Sequence, residues 1–359
     1  MARDHSRSVR VAIAGVGNCA SSLVQAVTAA RAGIDGPGVA HPLLGGYGVA
    51  DIEFVAAFDV DERKVGQDLS AAIGSAPNCT TSYVDVPALG VDVSCGPLLD
   101  GTGSLTSPLV HVAEESSRAT FADVSSVVAQ AEADVLINYL PVGSAKATAG
   151  YAGAALAAGV AFVNCNPEAI ATDPSWQRQF TEGGVPLLGD DIKSQLGATT
   201  LHRTLIELCN SRGAVIDKTY QLNVGGNTDF LNMLDPGRAA SKRASKMAAL
   251  QARLDGGTEV GAGPSDYIPH LRDRKVAYIK LEGRSMLGMS FAIEAKLEVE
   301  DSPNSAGVAV DALRIAKIAG DRHIGGPVNS ACAPLFKIPP VQYADAEAAE
   351  EFSRFAGNA

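Results

Sequence analysis

The stretch Val9-Arg10-Val11-Ala12-Ile13-Ala14-Gly15-Val16-Gly17-Asn18-Cys19-Ala20 decides the fold. Val9 to Ala14 is an apolar β-run, and Ser21-Ser22-Leu23-Val24-Gln25-Ala26-Val27 continues as a helix. Between them lies Gly-x-Gly-x-x-Ala, a dinucleotide fingerprint in the strand–turn–helix setting that it requires. Gly15 permits the tight turn, Gly17 lets the backbone approach a pyrophosphate, and Ala20 lets the helix pack close to the strand. Asn18 and Cys19 open the helix, whose N-terminus favours phosphate. All five are candidates for cofactor binding, in a Rossmann-like, doubly wound parallel α/β sheet.

Outward from the fingerprint, the second strand should end in an acid that takes the ribose hydroxyls. Phe54-Val55-Ala56-Ala57-Phe58-Asp59 supplies Asp59. It comes later than the usual ~20 residues after the glycines, because Ala32 to Gly48 reads as an inserted Gly/Pro-rich loop. The carboxylate argues for NAD over NADP, whose 2′-phosphate it would repel. Further strands are read at Val135-Leu136-Ile137-Asn138, Ala161-Phe162-Val163-Asn164 and Val185-Pro186-Leu187-Leu188, with helical segments between them. Their ends place Asn138, Asn164 and Asp190 on one edge beside a nicotinamide, with Leu140, Pro141 and Ser144 in the turn after the first. Residues 76–120 carry no clear period and read as loops with short strands.

Gly189-Asp190-Asp191-Ile192-Lys193-Ser194-Gln195-Leu196-Gly197-Ala198-Thr199 joins a strand end to a helix start. Two carboxylates, a lysine, a hydroxyl and an amide therefore fall where open α/β sheets bind ligands and helix starts favour anions. The character changes past Asn210. Lys218 to Val224 is a strand ending in Gly225-Gly226-Asn227-Thr228-Asp229, and Arg238 to Met247 is helical. Lys275 to Leu281 and Met289 to Val299 alternate at period two and read as antiparallel strands. Lys242 and Lys246 lie four apart on one helical face beside Arg243. Like charges so placed repel, which points to an anion, and phosphate is the obvious one. The expected organisation is a nucleotide-binding domain over 1–196, a mixed α/β catalytic and oligomerisation domain over 197–305, and a segment over 306–359. That last segment opens with a helix, Ala306 to Ile318, apolar enough to pack back on the first domain.

A net charge of −11 over 359 residues disfavours nucleic acid and anionic membrane as partners. No apolar run is long enough to span a bilayer, and Met1 to Arg10 lacks the apolar core of a signal peptide. The six cysteines have long, irregular gaps and read as reduced thiols in a cytoplasmic protein. No zinc signature is present, so no metal is expected.

Several motifs together resemble the myo-inositol-1-phosphate synthases of the short prokaryotic type. They are Gly15 to Leu23, Leu140 to Ser144, Gly189 to Gln195, Leu222 to Asn227, Ser241-Lys242-x-x-Ser245-Lys246, Asp273-Arg274-Lys275 and Asp301 to Gly307. The resemblance implies NAD-dependent cyclisation of a hexose 6-phosphate, by default glucose 6-phosphate, with no net redox. C5 is oxidised, an enolate forms at C6 and attacks C1, and C5 is reduced again. It places Lys242 and Lys337 at the C5 oxygen as proton shuttles, and Lys246 and Lys275 against the phosphate and the C1 oxyanion. Asp191 and Asp229 would orient the lysines and the nicotinamide. Lys193, Ser194, Gln195 and Asn227 would bind substrate phosphate. A homotetramer joined through the second domain is implied as well.

After Asn164 the family carries a mainly apolar Ala-Leu-Pro-Val-Phe segment, whereas this chain reads Cys165-Asn166-Pro167-Glu168-Ala169. Asn138 stands where a small Ser or Cys is usual. Asn166 and Glu168 are therefore expected to add polar groups to the substrate pocket. That suggests a runner-up substrate, fructose 6-phosphate, closed to a five-membered cyclitol phosphate in a carbocyclic nucleoside pathway. Two readings of other classes stand beside these, a plain NAD-dependent dehydrogenase and a non-catalytic NAD-binding regulator. Neither needs Lys242, Lys246, Lys275 and Lys337 together.

Overall fold

A computed structural model describes residues 8–34, 38–251, 254 and 257–357, apart from the side chains of Ser245, Lys246, Ala248, Ala249, Pro264 and Ser265. The first region runs β1 (Val9–Ala14), α1 (Asn18–Arg31), β2 (Ile52–Asp59), β3 (Val93–Cys95), α2 (Phe121–Gln130), β4 (Val135–Asn138), α3 (Ala145–Ala158), β5 (Ala161–Asn164), α4 (Pro174–Glu182) and β6 (Pro186–Leu188). The second runs α5 (Ala198–Ser211), β7 (Val215–Gly225), α6 (Thr228–Asn232), α7 (Pro236–Gln251), β8 (Glu259–Tyr267), β9 (Arg274–Arg284) and β10 (Ser290–Glu300). The chain closes with α8 (Asp301–Asp321), β11 (Gly326–Pro327), α9 (Asn329–Leu335) and α10 (Asp345–Ala356).

The larger sheet has the order β11-β6-β5-β4-β1-β2-β3, and its pairings are parallel. Its strands are covered on both faces, which is why they read as continuous apolar runs. Val11, Ile13, Ile137 and Val163 join a core with residues of α1 and α8, whereas Ala12, Leu136 and Phe162 face residues of α2, α3 and α4. Strand order reverses between β1 and β4, and a crevice opens beyond the strand ends there. The three-residue β3 is one of the short strands expected within 76–120; it is too short to show a period, so its place was not readable.

Helix α8 begins at Asp301, packs along α1 and crosses β4, β5 and β6. Arg314 in its middle is fully buried and donates to the carbonyls of His41, Pro42 and Tyr47 and to Asp311. The inserted loop after α1 is thereby held on the sheet-covering helix.

The smaller sheet has the order β8-β7-β9-β10. Both β7–β9 and β9–β10 are antiparallel, as the alternation implied, whereas β8 pairs parallel to β7. One face packs Ile279 and Leu281 against Ile206 of α5 and Leu250 of α7. On the other face Tyr220, Leu222 and Tyr278 stand exposed. Among the described residues no helix is long and apolar enough to cross a membrane.

Candidate active site

A cavity of about 270 Å³ occupies the crevice at the β1–β4 switch point. Gly15, Gly17, Asn18, Cys19 and Asp59 line one end, and Asp191, Asp229, Lys242, Lys275 and Lys337 the other. Gly15 has φ +91°, and a Cβ there would stand 3.1 Å from the Tyr139 carbonyl oxygen. A Cβ on Gly17 would meet nothing within 4 Å, so this backbone borders open space. Helix α1 has no side-chain cap, which leaves its first N–H groups available to an anion. Ala20 is fully buried beneath this turn.

Asp59 ends β2 as expected. Its Oδ2 accepts from Val16 N at 2.8 Å, and its Oδ1 from Val60 N at 2.8 Å and Asp61 N at 3.0 Å. Lys64 completes this corner: its buried Nζ donates to Val16 O at 2.8 Å and lies 3.6 Å from Asp59 Oδ2. Nothing in the sequence marks Lys64, because a lone lysine in a polar turn resembles a solvated one.

At the opposite end Asp191 is 0% exposed, and its Oδ1 lies 2.8 Å from Lys337 Nζ and 3.4 Å from Lys242 Nζ. Backbone bonds fix Asp191 from two sides: its N–H donates to Asn166 O, and its carbonyl accepts from Lys337 N. Lys275 pairs with Asp301 at 3.0 Å, and its Nζ lies 6.0 Å above the Phe230 ring. Burial pulls the Lys337 ammonium below the usual lysine range; Asp191 opposes this, and Lys242 and Lys275 add to it. Burial also works against Lys242, but the carboxylates of Asp191, Asp229 and Asp301 outweigh it and hold that ammonium above the usual range. The two lysines on one carboxylate oxygen therefore differ in proton affinity.

Asp273 and Asp301, whose motifs carried the resemblance, complete the cluster. Buried Asp273 accepts from Asn227 Nδ2 at 3.0 Å and Ser302 Oγ at 2.9 Å. Burial pushes its carboxyl up to about 6 against those bonds. Thr80 Oγ1 contacts both Asp273 and Asn18, so the network reaches the fingerprint turn. Asn227 also caps α6 through the N–H groups of Asp229 and Phe230.

A small annex is lined by Lys193, Ser194, Arg203, Lys275, Lys337 and the first residues of α5. Helix α5 likewise starts without a side-chain cap. Lys193 Nζ donates to Ala333 O at 2.7 Å.

Several expected site residues lie elsewhere. Asn138 and Asp190 do not line the cavity; they tie strands together. Asn138 Nδ2 donates to Asn164 Oδ1, Asn164 Nδ2 donates to Asp190 Oδ1, and Asp190 further accepts from the N–H groups of Ile170, Ala171 and Thr172. Buried Ser144 donates to Pro141 O. Gln195 is exposed and donates to Gly38 O, so its amide faces the inserted loop. Leu140, Pro141 and Asn166 do line the cavity. The Asn166 amide, however, is spent on Thr148 Oγ1, Leu140 O and Glu168 N, and Glu168 faces Gly143 and Ser241. Glu168 does not line the cavity, and the Asn166 side chain that does is already bonded to protein atoms. The Lys246 side chain lies outside the described residues.

A dinucleotide-type turn and a lysine cluster thus share one cavity, the layout of an enzyme rather than of a plain scaffold. Residues 197–302 match the family model described as myo-inositol-1-phosphate synthase. The inositol-3-phosphate synthase of Mycolicibacterium smegmatis is 51% identical, covering 98% of this chain and 99% of its own. That of Corynebacterium glutamicum is 49% identical, covering 97% and 98%. Among solved structures, that of Ari2 superposes with a TM-score of 0.81 at 36% identity, covering 98% and 99%. The chain belongs to the myo-inositol-1-phosphate synthase family.

Proposed function

We propose that the protein cyclises glucose 6-phosphate to an inositol phosphate with NAD as a recycled cofactor. The observation that carries this reading is the single Asp191 oxygen shared by Lys242 and Lys337, across one cavity from the glycine turn. NAD fits the opposite end: open space over Gly17, an uncapped α1 and the carboxylate of Asp59 are what a dinucleotide needs. NAD+, when bound, supplies reversible hydride removal at C5.

The chain's own residues handle the charges and protons. Lys337, with its lowered proton affinity, takes the proton from the C5 hydroxyl and returns it. Lys242 stays charged and stabilises oxyanion character at the same oxygen. Lys275 faces the second developing oxyanion, at C1. The annex suits the phosphate, where Lys193, Ser194, Arg203 and the α5 N–H groups converge. Within this reading residues 1–196 hold the cofactor, 197–305 supply Lys242, Lys275 and subunit contacts, and 306–359 buttress the first sheet and supply Lys337. With Asn166 and Glu168 engaged by protein, no observation favours fructose 6-phosphate.

The test is incubation with glucose 6-phosphate and fructose 6-phosphate separately, with product NMR and absorbance at 340 nm. Inositol phosphate from glucose 6-phosphate without NADH accumulation supports the reading. Net NADH release, or turnover of the ketose alone, sinks it.

A further inference from the structure

Glu168 bridges two elements that the chemistry needs in register. Its Oε1 accepts from Gly143 N at 2.8 Å and from Ser241 Oγ at 3.0 Å. Its own backbone is fixed, with N donating to Asn166 Oδ1 at 3.1 Å and O accepting from Asn164 Nδ2 at 2.7 Å. Gly143 closes the turn whose Leu140, Pro141 and Val142 line the cavity. Ser241 immediately precedes Lys242 on α7. Two further contacts join that turn to the second region. Asn232 Nδ2 donates to Val142 O at 2.8 Å, and a Cβ on Gly143 would press within 2.9 Å of Arg238 Cβ. The turn therefore seats directly on α7, and the Glu168 carboxylate carries the polar link beside the lysine.

The Lys242–Asp191 separation of 3.4 Å is long for a charge-assisted hydrogen bond, so a small rotation of α7 would lose it. Misplacement by ~1 Å far from the chemistry costs on the order of 10²-fold in rate. We propose that Glu168 is a positioning residue that fixes Lys242 against Asp191 by pinning Ser241 to the cavity-lining turn. This rests on the reading that Lys242 serves the cyclisation.

The experiment compares Glu168→Ala, Glu168→Gln, Ser241→Ala and the double variant Glu168→Ala with Ser241→Ala, in the full chain. Glu168→Ala should lower kcat by about 10-fold or more, with KM and NAD affinity within about 2-fold. Glu168→Gln, which keeps an acceptor oxygen, should recover most of the loss. The double variant should be no worse than Glu168→Ala, because both changes break one interaction. An amine-reactive label quantified by mass spectrometry reads the position of Lys242 without turnover. Labelling of Lys242 should be faster in Glu168→Ala than in the parent, and parental in Glu168→Gln. If the parent converts no hexose phosphate, the cyclisation reading fails and the labelling still decides the role of Glu168. Parental labelling in Glu168→Ala overturns the positioning role, as does equal loss in Glu168→Gln. Should Glu168→Ala fail to fold, Ser241→Ala supplies the same comparison.

Discussion

Asp191 is the residue on which two ammonium groups converge, and it makes their proton affinities interdependent. Lys242 depresses Lys337, and the shared carboxylate raises both. Replacing Lys242 or Lys337 by Met should each lower turnover by at least ~10²-fold, the lower range for losing an acid, base or oxyanion partner. NAD affinity should survive in both. The pH dependence separates their roles. A base acts when deprotonated, so activity in the parent rises with pH through the lowered Lys337 value. Removing the Lys242 charge removes a neighbour that depresses Lys337 and leaves Asp191 to it alone. The residual activity of Lys242→Met should therefore rise at higher pH than the parent's; an unmoved limb would assign the base elsewhere. Asp59 belongs to the same scale. Asp59→Asn should weaken NAD binding by about 1–3 kcal/mol, the cost of an unmatched polar partner. Calorimetric titration measures it, and parental affinity would move the ribose contact to another residue.

At the scale of elements, α5 is bolted to β7 by a buried polar contact beside an apolar cluster. His202 is 0% exposed, and its Nε2 lies 2.6 Å from Thr219 Oγ1. Burial pushes its pKa down to about 4, against ~6.5 in an unfolded chain. The folded state thus keeps the ring neutral. The stability this contributes is complete above pH ~6.5 and is lost as pH falls toward about 4, where protonation favours the unfolded chain. Urea midpoints of the parent should fall steeply between those limits, and those of His202→Gln should fall less. Equal slopes would show that another group governs acid unfolding. The elements themselves were largely readable. The Gly15–Ala20 turn is a fixed motif, the runs at Val135 and Ala161 are continuous and apolar, and β9 and β10 alternate, signals that each lie within a short window of sequence. What stayed hidden depends on distant partners. Strand β8 contains Gly261, Gly263 and Pro264 and is a strand because β7 pairs with it. Lys64 is buried because Val16 and Asp59 receive it, and Glu168 turns away from the pocket because Gly143 and Ser241 take its oxygen. Such long-range hydrogen bonds leave no period in the chain.

At the scale of the whole molecule, the smaller sheet is unfinished. One face is sealed by α5 and α7, but on the other Leu222 and Tyr278, cross-strand partners, stay 46% and 47% exposed beside Tyr220. Burying a side chain of this size stabilises by about 1.5–3 kcal/mol, so leaving neighbouring ones in water is unfavourable and marks a contact surface. The same face carries Lys280, Lys296, Glu294 and Glu298, charges of both signs that suit a second copy of the same sheet. A self-complementary face joins two copies, so we expect it to be one of the contacts of a homotetramer. Size-exclusion chromatography with light scattering should give about four chain masses for the parent. Leu222→Asp combined with Tyr278→Asp should give a smaller species with unchanged circular dichroism, because both residues point away from the core shared with α5 and α7. Glu298→Lys, which leaves the aromatic patch intact, should shift the distribution far less. A parent that stays monomeric at micromolar concentration, or a double variant that still elutes as the parent does, would remove this face from the assembly.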